Sequence, residues 1–169
     1  MSIRNTISKH LQNKQLKKHQ RIVEYKDFSK IKSFGIIVSP EYTKQHLYLK
    51  EKLKASAIKD ITDITINPKL KIENLQSIED RTYNKACFNY WRLPKHPDVK
   101  EFTLKKFDIL LDLSADNPLT EVVHRLSLAK IKVGNKKNTG KEYDFIISHE
   151  NTDNHFIDLV IHYLQEIKS

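Results

Sequence analysis

The sequence predicts a doubly wound α/β fold, Rossmann-like or flavodoxin-like, with a mostly parallel sheet and an extra basic helix at its N-terminus. Three observations predict it. Residues 31–39 (IKSFGIIVS), 61–66 (ITDITI) and 107–113 (FDILLDL) are short, β-branched and nearly continuously apolar, as strands buried on both faces are. Stretches with helical apolar spacing lie between and after them. The two kinds of segment alternate, and alternating β and α elements pack as a parallel sheet covered above and below, joined by right-handed crossovers.

Residues 2–24 read as a helix, because Ile3, Ile7 and Leu11 repeat at every fourth position and no Pro or Gly intervenes. The run 31–39 is a strand that stops at Pro40, and residues 41–57 follow as a helix with Leu47, Leu49, Leu53 and Ala57 on its apolar side. The strand 61–66 ends at Asn67–Pro68, a turn signal. Residues 69–100 carry weak signals of both kinds: 82–88 (TYNKACF) is a candidate strand, and Asp98 a candidate cap for a short helix through Lys105. Clarity returns with the strand 107–113. A turn over Ser114–Pro118 follows, with Pro118 suited to a first helical turn. A helix over 118–130 carries Leu119, Val122, Val123, Leu126 and Ala129 on one side. Ile131–Val133 is a short strand ending at Gly134, residues 135–142 (NKKNTGKE) a polar loop, 143–148 (YDFIIS) a strand, and 153–167 an amphipathic helix.

A chain of 169 residues fits one domain. Residues 1–26 are set apart as the basic helix and 27–169 as a single Rossmann-like unit. No apolar run approaches the length of a membrane span, and the start lacks the apolar stretch of a secretory signal. The one cysteine, Cys87, rules out an internal disulfide; a cytoplasmic location is the expectation. Three glycines, Gly35, Gly134 and Gly140, are too scattered for a glycine-rich phosphate loop. The net charge is +9, and +6 of it lies in the first 21 residues, where Arg4, Lys9, Lys14, Lys17, Lys18 and Arg21 stand without an acid.

In open parallel sheets ligands sit beyond the carboxyl ends of the strands. That rule selects Ser39, then Asp112, Ser114, Asp116 and Asn117, then Gly134 and Asn135. The turn before Pro118 presents a helix N-terminus, which attracts anions. Asp and Asn are also ordinary helix caps, and a plain cap is the favoured reading. Asp108 and Asp112 share a strand face but are expected at opposite ends of the strand. No catalytic residue is assigned, and enzymatic activity is not the favoured expectation. His155 and His162 stand about 10 Å apart in rise along one helix, too far to share a zinc. No HExxH or CxxC pattern occurs, so neither metal nor cofactor is expected. Cys87 is expected as a small core filler, and Tyr90 and Trp91 as core.

The stretch Phe107–Gly134, FDILLDLSADNPLTEVVHRLSLAKIKVG, resembles a small uncharacterised bacterial family of α/β domains. The likeness runs over most of the chain and implies a fold without an established activity. The same stretch is more distantly similar to the N-terminal half of heptosyltransferase-type glycosyltransferases. There, too, an apolar strand ending in Asp-Leu leads into a helix, an Ala-Lys pair and a short strand ending in Gly; here these are Asp112–Leu113, Ala129–Lys130 and Gly134. Such enzymes carry a second Rossmann-like domain for the nucleotide sugar, for which this chain has no room.

The basic helix has several readings: a solvated or docked helix, a contact to nucleic acid by counterion release, an anionic membrane surface, or a targeting peptide. Lys130, Lys132, Lys136, Lys137 and Lys141 add a second basic cluster, which strengthens the nucleic-acid reading if it lies beside the helix. The expectation is a non-catalytic interaction module whose basic helix contacts an anionic partner, with RNA or the ribosome as candidates. The anion-facing residues are then Arg4, Lys9, Lys14, Lys17, Lys18, Arg21, Lys132, Lys136 and Lys137. The alternative is a small ligand-binding or degenerate transferase-like domain using the strand-end crevice.

Overall fold

A computed structural model of the chain describes residues 3–56, 58–71, 81–115, 117–135, 142–147 and 153–167. Among these, the elements run α1 (Ile3–Lys18), β1 (Ser33–Val38), α2 (Thr43–Lys54), β2 (Asp60–Ile66), β3 (Thr82–Tyr83), α3 (Pro97–Leu104), β4 (Ile109–Leu113), α4 (Pro118–Leu126), β5 (Ile131–Gly134), β6 (Phe145–Ile146) and α5 (Asn154–Glu166). The strands form one six-stranded sheet in the order β3-β2-β1-β4-β5-β6. Every pair is parallel. The order reverses between β1 and β4, so the chain winds outward in both directions from the centre, as the sequence predicts.

Alternation along the central strands divides the core. Phe34, Ile36 and Val38 of β1 join Ile109, Leu111 and Leu113 of β4 under Leu49 and Leu53 of α2 and Phe156 and Val160 of α5. On the other face Ile37, Ile64 and Leu110 meet Val99 and Phe102 of α3 and Leu119 and Val123 of α4. All five residues of β4 are buried. Gly35 lies under Phe107, where an added Cβ would stand 2.7–2.9 Å from the ring.

Helix α1 forms an outer layer on α4. Leu11 and Leu16 pack with Trp91 against Leu93, Val122 and Leu126. α4 is therefore apolar on two sides, with Leu119 and Val123 facing the sheet and Val122 and Leu126 facing α1.

Several boundaries differ from the sequence expectation. The first helix stops at Lys18 rather than reaching residue 24. Its apolar stripe packs only at its far end: Ile3 is 79% and Ile7 37% exposed, whereas Leu11 packs and Ser8 and Gln12 are buried. The fourth helix ends at Leu126, not 130, because Ser127 turns extended. The N–H groups of Leu128 and Lys130 then bond to the carbonyls of Thr103 and Phe107. The illegible stretch supplies β3, a 3-10 turn at Lys85–Cys87 and α3. His96, rather than Asp98, caps α3: its ring nitrogen accepts from the Asp98 N–H at 3.3 Å. Tyr90, expected in the core, is 66% exposed, while Cys87 is buried.

Candidate functional site

The strand-end crevice between β1 and β4 is tied together by its own polar groups. The Ser39 N–H donates to the carbonyl of Leu113 at 3.1 Å. The Ser39 hydroxyl oxygen accepts the Ala115 N–H at 3.1 Å. Asp112 is 1% exposed. One carboxylate oxygen accepts the Ser114 N–H at 3.0 Å and the Ser114 hydroxyl; the other accepts the phenol of Tyr143 at 3.0 Å. The Asn117 side chain accepts the N–H groups of Leu119 and Thr120 at 2.9 and 3.0 Å, which caps α4. A Cβ at Gly134 would stand 2.1 Å from the Tyr143 ring, so only glycine lets that ring lie on β5. Asn135 is buried, and Asp116 lies outside the described residues. These bonds join the loop after β4, the end of β1 and Tyr143 into one hydrogen-bonded unit. Asp108 stands at the other end of β4. Its carboxylate accepts from the Lys26 ammonium and from the N–H groups of Lys32 and Ser33. Burial opposes its charge, but those donors win and hold it at about 2.

Helix α1 docks by a mostly polar face. The Ser8 hydroxyl donates to the Trp91 carbonyl at 2.7 Å, and Gln12 donates to Ser8 at 3.0 Å. The Arg4 guanidinium donates to the Tyr90 carbonyl at 2.9 and 3.1 Å and lies 4.6 Å from the centre of that ring. Arg125 of α4 donates to Asn13 at 2.8 Å. These contacts turn Lys9, Lys14, Lys17 and Lys18 to solvent. Among the described residues none of the four is in an ion pair. Arg4 is thus part of the docking contact, and the outward basic face belongs to the lysines.

Beyond α1 the chain crosses to β5. Arg21 donates to the carbonyls of Ala129 and Lys130 at 2.5 and 3.0 Å and pairs with Asp144. Asp144 also accepts the Lys132 N–H at 2.7 Å. The Lys132 side chain does not reach the surface: it is 4% exposed. Its ammonium donates to the carbonyls of His124 at 2.7 Å and Arg125 at 3.3 Å, at the C-terminal end of α4. Burial pushes its pKa down to about 7; Arg21 and Arg125 lower it further, against Asp144 and Glu142. Lys130 pairs with Glu24 at 2.5 Å and with Asp108 at 3.4 Å, which raises its pKa. Lys136, Lys137 and Lys141 lie outside the described residues.

Of the second basic cluster, Lys132 meets the N-terminal basic segment, at a cavity of about 350 Å³ whose wall includes His19, Arg21, Arg125, Lys132 and Glu142. Leu16 and Gln20 border this cavity and also a surface groove beside His10, Lys14 and Lys17. Sequence reasoning placed Lys132 among the anion-facing groups but missed His19 and Arg125. The available signal was Lys132 itself, the one charged residue of a short apolar strand.

A second polar cavity, of about 650 Å³, lies against Thr43, His46 and Lys50 of α2, Thr65 and Asn67 at the end of β2, and Arg81. His46 Nε2 stands 3.2 Å and Lys50 Nζ 3.4 Å from the Asp63 carboxylate. The contact with His46, more than that with Lys50, holds Asp63 at about 2, against burial. Among the described residues no group of three or more His, Cys, Asp or Glu is placed to hold a metal ion. None of their helices is long and apolar enough to cross a membrane.

The model of a family of unknown function (DUF6913) matches residues 2–167 of the chain. No curated protein and no solved structure matches it. The local likeness to heptosyltransferase-type enzymes therefore has no support beyond the residues that suggested it.

Proposed function

The chain belongs to this family of unknown function, DUF6913, and we propose that the protein is a non-catalytic module that holds a polyanion, RNA by preference, against the outer face of α1. One observation carries the reading. α1 docks through Arg4, Ser8, Leu11, Gln12 and Leu16, and presents Lys9, Lys14, Lys17 and Lys18 to solvent from a helix without a single acid. Among the described residues no carboxylate is ion-paired with them, so their charge is available to a phosphate backbone. Binding of that kind releases condensed counterions and falls steeply with salt. A rigidly docked helix also loses less conformational entropy on binding than a free one.

The test is RNA binding by the full chain and by a variant with all four lysines replaced by Gln. Charge replacement is preferable to deleting the helix, because deletion would uncover Leu93, Val122 and Leu126.

A second reading, a small-molecule site at the strand ends, draws support from the cavity beside His46, Lys50 and Arg81 rather than from the crevice at Asp112. A screen of small anionic metabolites against the protein and a His46→Ala variant discriminates the two: this reading expects a ligand lost in the variant, with RNA binding unaffected.

A further inference from the structure

We propose that the cavity between α4, β5 and the segment after α1 is a binding site for a phosphate group, either free or carried at the end of an RNA strand that lies along α1. The proposal rests on the polyanion reading for the second source only; the first stands without it.

Three basic side chains and a histidine converge there from three parts of the chain. His19 and Arg21 come from the end of α1 and beyond, Arg125 from α4 and Lys132 from β5. The acids that face Lys132 are Glu142 and Asp144, and Asp144 is already engaged by Arg21 and by the Lys132 N–H. Lys132 is the central group. An ammonium has three donors, and the carbonyls of His124 and Arg125 take two. The third is left for the cavity. Arg21 and Arg125 disfavour a proton on Lys132, and Asp144 and Glu142 oppose them. A doubly charged oxyanion beside Lys132 would favour its protonated form, and the Arg125 guanidinium suits the geometry of such a group.

Location supports the same ligand. Leu16 and Gln20 border both this cavity and the groove beside His10, Lys14 and Lys17. A strand held by the outer lysines is thereby led to the cavity mouth. Anion binding must also be coupled to proton uptake by Lys132. Of the other titratable or charged groups that face this amine, His124 and Arg125 lie on α4, Arg21 on the segment after α1, and Glu142 and Asp144 before β6. A Lys132→Met variant isolates the contribution of the amine from all of them.

The experiment uses sulfate, which keeps its double charge across the whole range, and follows binding to the full chain between pH 6 and 9 by calorimetry and amide chemical shifts. We expect saturable binding with shifts at Arg125 and Lys132, weakening by about tenfold per pH unit above 7. Lys132→Met should lose that pH dependence and most of the affinity. Arg125→Gln, a change on a half-exposed side chain, should weaken binding at least fivefold with an unchanged circular dichroism spectrum. Sulfate binding of equal strength in both variants, or shifts confined to the outer lysines, overturns the site. A 5′-phosphorylated oligoribonucleotide that binds better than its 5′-hydroxyl twin assigns the phosphate to an RNA end; equal binding of the two, with sulfate still bound, assigns it to free phosphate. Sulfate binding without RNA binding overturns the polyanion reading and leaves the cavity standing. RNA binding without sulfate binding does the reverse.

Discussion

The ammonium of Lys132 donates a hydrogen bond to the carbonyl of His124 at 2.7 Å, so the last turn of α4 is closed by a lysine from the neighbouring strand. A cation at a helix C-terminus is favourable, but this one is buried, and its pKa falls to about 7. The charged form is therefore disfavoured in the folded state relative to an ordinary lysine near 10.5. Folding releases a proton between these values, and stability rises with pH across that window by at most about 1.4 kcal/mol per unit. Below pH 7 the lysine is charged in both states and the effect is flat. Denaturant unfolding from pH 7 to 10 should show a rise in the wild type that Lys132→Met lacks.

Gly134 is fixed by Tyr143. Gly134→Ala must push the Tyr143 ring away and break its bond to Asp112; the expected loss is about 1–3 kcal/mol, as for an overpacked core. Tyr143→Phe keeps the ring and removes one donor to the buried carboxylate, for a loss of about 1–3 kcal/mol. Chemical denaturation of the two variants checks both.

The docking of α1 predicts opposite outcomes for two apolar residues of one helix. Leu16→Asp should release the helix, because Leu16 packs on the cluster of Leu93, Val122 and Leu126. Hydrogen exchange over residues 3–18 should then speed up by orders of magnitude. Ile3→Ser should change stability by less than about 0.5 kcal/mol, since Ile3 is almost fully exposed.

Asp108 joins Lys26 to the start of β1 by way of the Lys32 and Ser33 N–H groups. Its carboxyl titrates at about 2 instead of 3.8. The stabilisation is complete above the unfolded value and is lost as pH falls from about 4 through 2, a loss of about 2 kcal/mol. Acid unfolding of Asp108→Asn should lack that component.

The central fold was legible because β1 and β4 are buried on both faces, so their residues are nearly all apolar and stand out from a charged chain. Apolar residues at helical spacing gave α4 and α5. Residues 82–96 were only partly legible, since β3 has two residues rather than seven and the neighbouring 3-10 turn leaves no periodic signal; the short helix through Lys105 was placed, but with the wrong cap. The face of α1 was misread for a different reason. Besides Leu11 and Leu16, its contact is built from Ser8 and Arg4 hydrogen bonds to backbone carbonyls and a Gln12 bond to the Ser8 hydroxyl, which no hydrophobic spacing reveals; of the regular Ile3–Ile7–Leu11 spacing only Leu11 packs. At the site, sequence placed Lys132 among the anion-facing groups but could not tell that it is buried, nor that Arg125 and His19 share its cavity. Lys132 is buried by its contacts with the end of α4, and His19 reaches the cavity from just beyond α1, which ends six residues short of the expected boundary.

The most direct measurement of the central claim is the salt dependence of RNA affinity for the wild type and for the protein with Lys9, Lys14, Lys17 and Lys18 all changed to Gln. The account predicts a steep logarithmic slope in the wild type that flattens by roughly 0.7 for each phosphate contact removed, up to about 3 in all. An unchanged slope in a variant that remains folded, or no RNA binding by the wild type at low salt, contradicts it.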